Sequence, residues 1–290
     1  MLVDLVQIAA ADGLRLDGVL HASTEAQKGN SRCDAIVCIH GTGSNFYSSN
    51  IFQKLTPGWL ERGIQVAWAN TRGHDGLATV YTDKGRRRQG AAYEQFQESP
   101  FDLRAWADFL VERGAARIVY FGHSSGAVKA IYSQAVQPHP AVVGVAAVSP
   151  PRLSHSFFSA SAKRQEFLDS FRRAEMLVDA GEANALLEVT FPMPYVVSAG
   201  GYLEKYGPAE EYNVLKLLPQ VRCPTLVTYG SVEVEREIAF QGMPDAVTQL
   251  SPLSPNGEFI RTAVIDGADH VYTARTEELG RAVEAWLWPE

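Results

Sequence analysis

The chain has 290 residues, 46% of them hydrophobic and 20% charged, enough to bury a sizeable core as one large α/β domain or two small ones. Its net charge of −7 argues against nucleic acid or an anionic membrane as a partner. No apolar run reaches the length of roughly eighteen residues that a bilayer crossing needs. The segment Met1 to Gln7 lacks the basic stretch, long apolar core and small-residue cleavage site of a secretory signal, so the expected location is cytoplasmic. The three cysteines are too few and too widely spaced for a disulfide framework or a zinc site; Cys38 and Cys223 read as small buried hydrophobes.

Residues 5–9 and 14–21 are apolar-rich and flank Ala11-Asp12-Gly13, the pattern of a β-hairpin. The short continuous apolar runs 35–39, 65–69, 117–121, 142–148, 225–229 and 262–265 have the character of strands buried on both faces, which predicts a mostly parallel sheet. Helical periodicity lies between them. Leu103, Trp106, Phe109 and Leu110 share one face of 101–112, and Leu279, Val283, Trp286 and Leu287 one face of 277–288. The alternation predicts an α/β fold with helices on both faces and a site beyond the carboxyl ends of the strands. The basic cluster Arg86-Arg87-Arg88 reads as a solvated loop, with contact to an anionic substrate group as the alternative.

Between 150 and 221 the alternation stops. Phe167, Leu168, Phe171, Ala174, Leu177 and Val178 form an amphipathic stripe, prolines interrupt 191–195, and a second helical stretch falls near 212–218. The expected organisation is a core of 1–149 and 222–290 with a helical cap inserted at 150–221. In the cap, Phe191, Met193, Tyr195, Tyr202 and Tyr206 either line a substrate pocket or glue cap to core.

Chemistry concentrates at Gly122-His-Ser-Ser-Gly126, between strand 117–121 and the helical run 127–135. A G-x-S-x-G sequence in that context makes a tight turn that leaves the central serine strained and exposed, so Ser124 is the candidate nucleophile. A serine hydroxyl needs a base and a group to orient that base. His270 follows strand 262–265 and precedes the last helix, on the same rim as Ser124, and is the candidate base among seven histidines. The acid belongs after strand 225–229, where Glu233 is preferred over Glu235 and the more distant Asp245. Oxyanion donors are expected from the amides of Ser125, at a helix start, and of Thr42 in His40-Gly-Thr-Gly43, with Gly43 as the alternative and His40 beside the pocket. This chemistry calls for no metal and no organic cofactor.

Together these residues resemble the α/β-hydrolase superfamily, with its His-Gly oxyanion loop, nucleophile elbow, late-strand acid and final histidine. Asn70-Thr-Arg-Gly-His-Asp75 is similar to the loop after the fourth strand of many members, and Cys223-Pro-Thr-Leu-Val to the start of the acid-bearing strand. Glu233 stands where aspartate is commoner. Residues 91–110 and the elbow also resemble a branch that includes siderophore ester hydrolases. Members with an aspartate nucleophile, such as haloalkane dehalogenases and epoxide hydrolases, are excluded by Ser124. The resemblance implies a serine hydrolase acting on a small-molecule ester, lactone or thioester. A carbon–carbon bond hydrolase with the same triad and a non-catalytic small-molecule receptor are the alternatives.

Overall fold

Strands buried on both faces alternate their side chains between two cores, and this sets the architecture. The computed structural model describes residues 3–25, 29–250 and 259–289. Met1 and Leu2 of the N-terminal segment read above lie outside that range.

The elements in order are β1 (Asp4–Ala9), β2 (Arg15–His21), β3 (Ala35–Ile39), α1 (Asn50–Glu61), β4 (Gln65–Ala69), β5 (Ala78–Thr82), β6 (Gly85–Gln89), α2 (Ser99–Val111), β7 (Ile118–His123), α3 (Ser125–Val136) and β8 (Val142–Val148). There follow α4 (His155–Ala160), α5 (Arg164–Asp179), β9 (Leu186–Val189), β10 (Tyr195–Ser198), α6 (Ala199–Tyr206) and α7 (Val214–Leu217). The chain then returns through β11 (Thr225–Gly230), α8 (Ser231–Arg236), α9 (Met243–Leu250), β12 (Ile260–Ile265) and α10 (Thr276–Leu287).

An eight-stranded sheet runs in the order β1-β2-β4-β3-β7-β8-β11-β12. The strands from β4 to β12 are parallel, and the β1–β2 hairpin joins β4 antiparallel. Along β3 the alternation is direct. Val37 and Ile39 face the core shared with α2 and α3, whereas Ile36 and Cys38 face the core under α1 and α10. Helix α1 was hidden in the sequence by its internal Pro57; Ser49 caps it, and Ile51, Phe52, Leu55 and Trp59 form its buried stripe. Cys38 is fully buried, and Cys223 only partly.

Three expectations are corrected. The inserted segment is not purely helical: β9 and β10 pair antiparallel, the prolines at 192 and 194 falling in the turn that connects them. The helical stretch at 212–218 is a single turn, α7, followed by a 3-10 turn that contains Pro219. The arginine cluster is also not a loop. Arg86, Arg87 and Arg88 lie on β6, paired with β5, and Arg87 reaches Glu98 at 3.2 Å.

Candidate active site

The turn from β7 into α3 carries Ser124 at φ 56°, ψ −124°, a conformation a residue with a side chain keeps only when its surroundings impose it. Its flanking glycines have no substitute. A Cβ at 122 would lie 2.4 Å from the Gly126 carbonyl oxygen, and one at 126 would lie 2.3 Å from that of Ile39. The turn is pinned by the Ser124 amide, which donates to the Val148 carbonyl at 2.8 Å.

His270 leaves the carboxyl end of β12 and meets this turn. Its Nε2 lies 3.0 Å from Ser124 Oγ, and its Nδ1 lies 2.6 Å from Glu233 Oε2. Glu233 is fully buried at the third position of α8, where its other oxygen accepts from the Gly230 amide at 2.7 Å and from Ser149 Oγ at 2.5 Å. Ser149 Oγ is 3.0 Å from the Tyr272 hydroxyl, which is 3.2 Å from Thr228 Oγ1. Every hydroxyl in that chain can donate toward the carboxylate, so Glu233 remains an acceptor and holds a proton on His270 Nδ1. Nε2 is left to accept from the serine. The competing carboxylates Glu235 and Asp245 are exposed to solvent. Ser149 and Tyr272 had no signal in the sequence, since the contact that recruits them joins segments far apart along the chain.

Two further histidines act through the backbone. His40 Nδ1 donates to the Gly41 carbonyl at 2.9 Å while Nε2 accepts the Thr71 amide at 3.1 Å, which fixes one neutral tautomer and ties the 40–43 loop to the 70–75 loop. His123 Nε2 donates to the His270 carbonyl at 2.8 Å, so the elbow braces the histidine loop. Burial, with Lys129 acting on His40 and His270 on His123, pushes both imidazoles down from 6.5 to about 3. A histidine held neutral in the folded state makes the unfolded chain the better proton binder below 6.5, so stability is complete above that pH and declines as pH falls toward 3. His40, being fully enclosed, should contribute a slope of up to about 1.4 kcal/mol per pH unit, and the partly exposed His123 less. Urea unfolding between pH 7.5 and 5 should show this loss in the wild type and a flatter profile in His40→Asn. Identical slopes would contradict it.

A cleft of about 510 Å³ opens over Ser124. Its walls include His40, Gly41, Thr42, Ser125 and His270 from the core, and Pro192, Met193, Lys205 and Tyr206 from the inserted segment. The amide-bearing loop comes close to the nucleophile: a Cβ on Gly41 would lie 3.6 Å from Ser124 Oγ. Of the aromatic and sulfur residues expected at the pocket, Met193 and Tyr206 are on its wall. Phe191, Tyr195 and Tyr202 are not. Phe191 and Tyr202 are buried in the insertion's own aromatic cluster with Phe158, Phe167 and Phe171, and the Tyr195 hydroxyl donates to that of Tyr206 at 3.4 Å. Phe96, on the cleft wall, was not anticipated.

Behind the cleft lies a charged cluster that the sequence did not reveal. Glu94, fully buried, accepts from Lys129 Nζ at 2.5 Å and lies 3.5 Å from Lys205 Nζ. Burial alone would raise the Glu94 carboxyl, but Lys129 and Lys205 outweigh it and hold the group below its ordinary value. Among the described residues no group of three or more His, Cys, Asp or Glu side chains is arranged to hold a metal ion, and no helix is long and apolar enough to cross a membrane.

Comparison with solved structures places this architecture among known folds. An esterase from Pyrococcus furiosus superposes with a TM-score of 0.61 at 16% identity, covering 99% of this chain and 92% of the other. Est1E from Butyrivibrio proteoclasticus, solved with ferulic acid bound, gives 0.64 at 14% identity with 97% of both chains covered. The α/β hydrolase GrgF from Penicillium gives 0.67 at 15% identity with 100% of both covered. At such identities the likeness is one of fold. No curated protein sequence matches the chain. The model of the Alpha/beta hydrolase family matches residues 36–285, and the chain therefore belongs to the alpha/beta hydrolase family.

Proposed function

We propose that the protein is a serine hydrolase that cleaves a carboxylic ester of a small molecule through an acyl-enzyme. The observation that carries this reading is the hydrogen-bonded row Ser124 Oγ, His270, Glu233, with spacings of 3.0 and 2.6 Å, at the floor of a cleft of about 510 Å³. Esterases among the solved structures of the same fold support it.

Ser124 Oγ attacks the ester carbonyl as its proton passes to His270 Nε2, and Glu233 stabilises the imidazolium and keeps Nδ1 protonated. The negative charge on the former carbonyl oxygen is met by the backbone amides of Ser125 and Thr42, which need no reorientation as charge develops. Collapse expels the alcohol, protonated by His270. Water, deprotonated by the same nitrogen, then attacks the acyl-serine, and the acid departs as Ser124 regains its proton.

Product analysis tests the reaction type. Incubation with panels of small esters, thioesters and β-diketones should yield acid plus alcohol from the esters, with a pre-steady-state burst of alcohol equal to the enzyme concentration. Exclusive turnover of the diketones would establish carbon–carbon cleavage instead. Saturable binding without turnover of any panel member would establish a receptor.

A further inference from the structure

The cleft has a cationic wall that the ester chemistry above does not use. Lys205, on α6 of the inserted segment, lines the same cleft as Ser124 and is 4% exposed. Its ammonium lies over the Phe96 ring at 4.6 Å and 5.2 Å from the centre of Tyr195. Burying a lysine to this extent is costly unless a partner offsets the lost hydration. The nearest carboxylate meets it only at long range: Glu94 Oε2 is taken by Lys129, and Oε1, which faces Lys205, makes no hydrogen bond among the described residues. Glu94 makes its short contact of 2.5 Å to Lys129 Nζ, which also donates to Thr71 Oγ1 at 3.2 Å, while Lys205 stands off at 3.5 Å. Glu204, next in sequence, turns elsewhere: it accepts from the Tyr212 hydroxyl and the Gln97 amide. The cluster thus sets two buried ammonium groups against one shared carboxylate, and the ammonium left with the longer contact is the one that borders the cleft. Glu94 itself does not line the cleft, and the carboxylate that does, Glu237, is exposed to solvent.

We propose that Lys205 is a specificity-determining residue that binds a carboxylate carried by the ester substrate, at the end of the cleft formed by the inserted segment. This rests on the serine-hydrolase reading and adds the substrate class to it: an ester with one free acid group. When such a substrate enters, its carboxylate supplies the short charge-assisted hydrogen bond that Glu94 leaves unmade. A neutral substrate leaves the ammonium without it, so the geometry selects against neutral esters as well as for anionic ones.

Two matched series locate the acid group: monoalkyl esters of dicarboxylic acids, which carry the charge on the acyl side, and acyl esters of hydroxy acids, which carry it on the alcohol side. Each is paired with its neutral methyl diester. Wild-type kcat/KM should favour the anionic member in at least one series, and Lys205→Met should lower that value by about 10- to 100-fold while changing the neutral pair by less than about threefold. In a second measurement, needing no variant, a free aliphatic dicarboxylate should slow labelling of wild-type Ser124 by a neutral fluorophosphonate at lower concentration than the corresponding diamide. Equal or better turnover of the neutral member in both series, together with equal protection by acid and amide, overturns the proposal. So does a parallel loss on charged and neutral esters in a Lys205→Met protein that folds. Failure of the underlying reading looks different, because fluorophosphonate would then leave Ser124 unlabelled in the wild type.

Discussion

Replacing Ser124 with alanine should lower kcat by about four to six orders of magnitude on any ester the protein hydrolyses. The size of the effect follows from what is removed: among the described residues no other hydroxyl is hydrogen-bonded to His270 Nε2, so covalent catalysis should be lost outright. What remains is the contribution of the oxyanion amides and of substrate binding, roughly 10³- to 10⁴-fold over water. KM should change little, because the hydroxyl contributes more to the transition state than to the bound substrate. Steady-state kinetics on a chromogenic ester check this, and a variant within tenfold of wild type would contradict the role given to Ser124.

The second large effect is expected from Glu233→Gln. The glutamine has nearly the shape of the glutamate, but only one of its two terminal atoms can accept. Oε1 of Glu233 takes the Gly230 amide at 2.7 Å and the Ser149 hydroxyl at 2.5 Å, while Oε2 takes His270 Nδ1–H at 2.6 Å. With two donors fixing the carbonyl oxygen at the Oε1 position, the new NH₂ points at His270 and forces Nδ1 to become the acceptor. The proton then sits on Nε2, the nitrogen that must receive it from Ser124. The expected cost is about 10⁴-fold in kcat with the fold retained. Glu235→Gln, on an exposed residue of the same helix, should leave kcat unchanged and serves as the control. Comparable losses in the two variants, or a loss confined to KM, would contradict the tautomer argument.

What the sequence made legible is instructive in physical terms. The strands β3, β4, β7, β8 and β11 stood out because a parallel strand covered on both faces must be apolar at nearly every position. Ser124 stood out because only small neighbours tolerate its backbone, and the contacts of 2.3 and 2.4 Å awaiting a Cβ at 126 and 122 give the reason. Glu233 and His270 were narrowed by their place after particular strands, and their side chains do meet in space.

Other features depend on partners that local pattern cannot supply. The hairpin β9–β10 has strands of four residues, and it pairs only across a proline-rich turn. Tyr202 and Tyr206 lie on one short helix and read alike, yet the first is buried against Phe171 and the second borders the cleft. Glu94, Lys129 and Lys205 carry no local pattern that marks them as buried, yet the fold encloses all three. Arg72 is a similar case: a loop arginine in the sequence, it is enclosed in the structure with Asp12, Glu98 and Asp102 as counter-charges, and this anchors the loop that His40 also grips.

Labelling with a fluorophosphonate followed by peptide mapping tests the central claim most directly. A phosphonyl adduct should appear on the peptide containing Ser124 in the wild type, be absent in Ser124→Ala, and form much more slowly in His270→Ala, because the 3.0 Å contact to Nε2 is what activates the hydroxyl. An adduct on any other residue, or one that persists in Ser124→Ala at the wild-type rate, would contradict the assignment of Ser124 as the nucleophile.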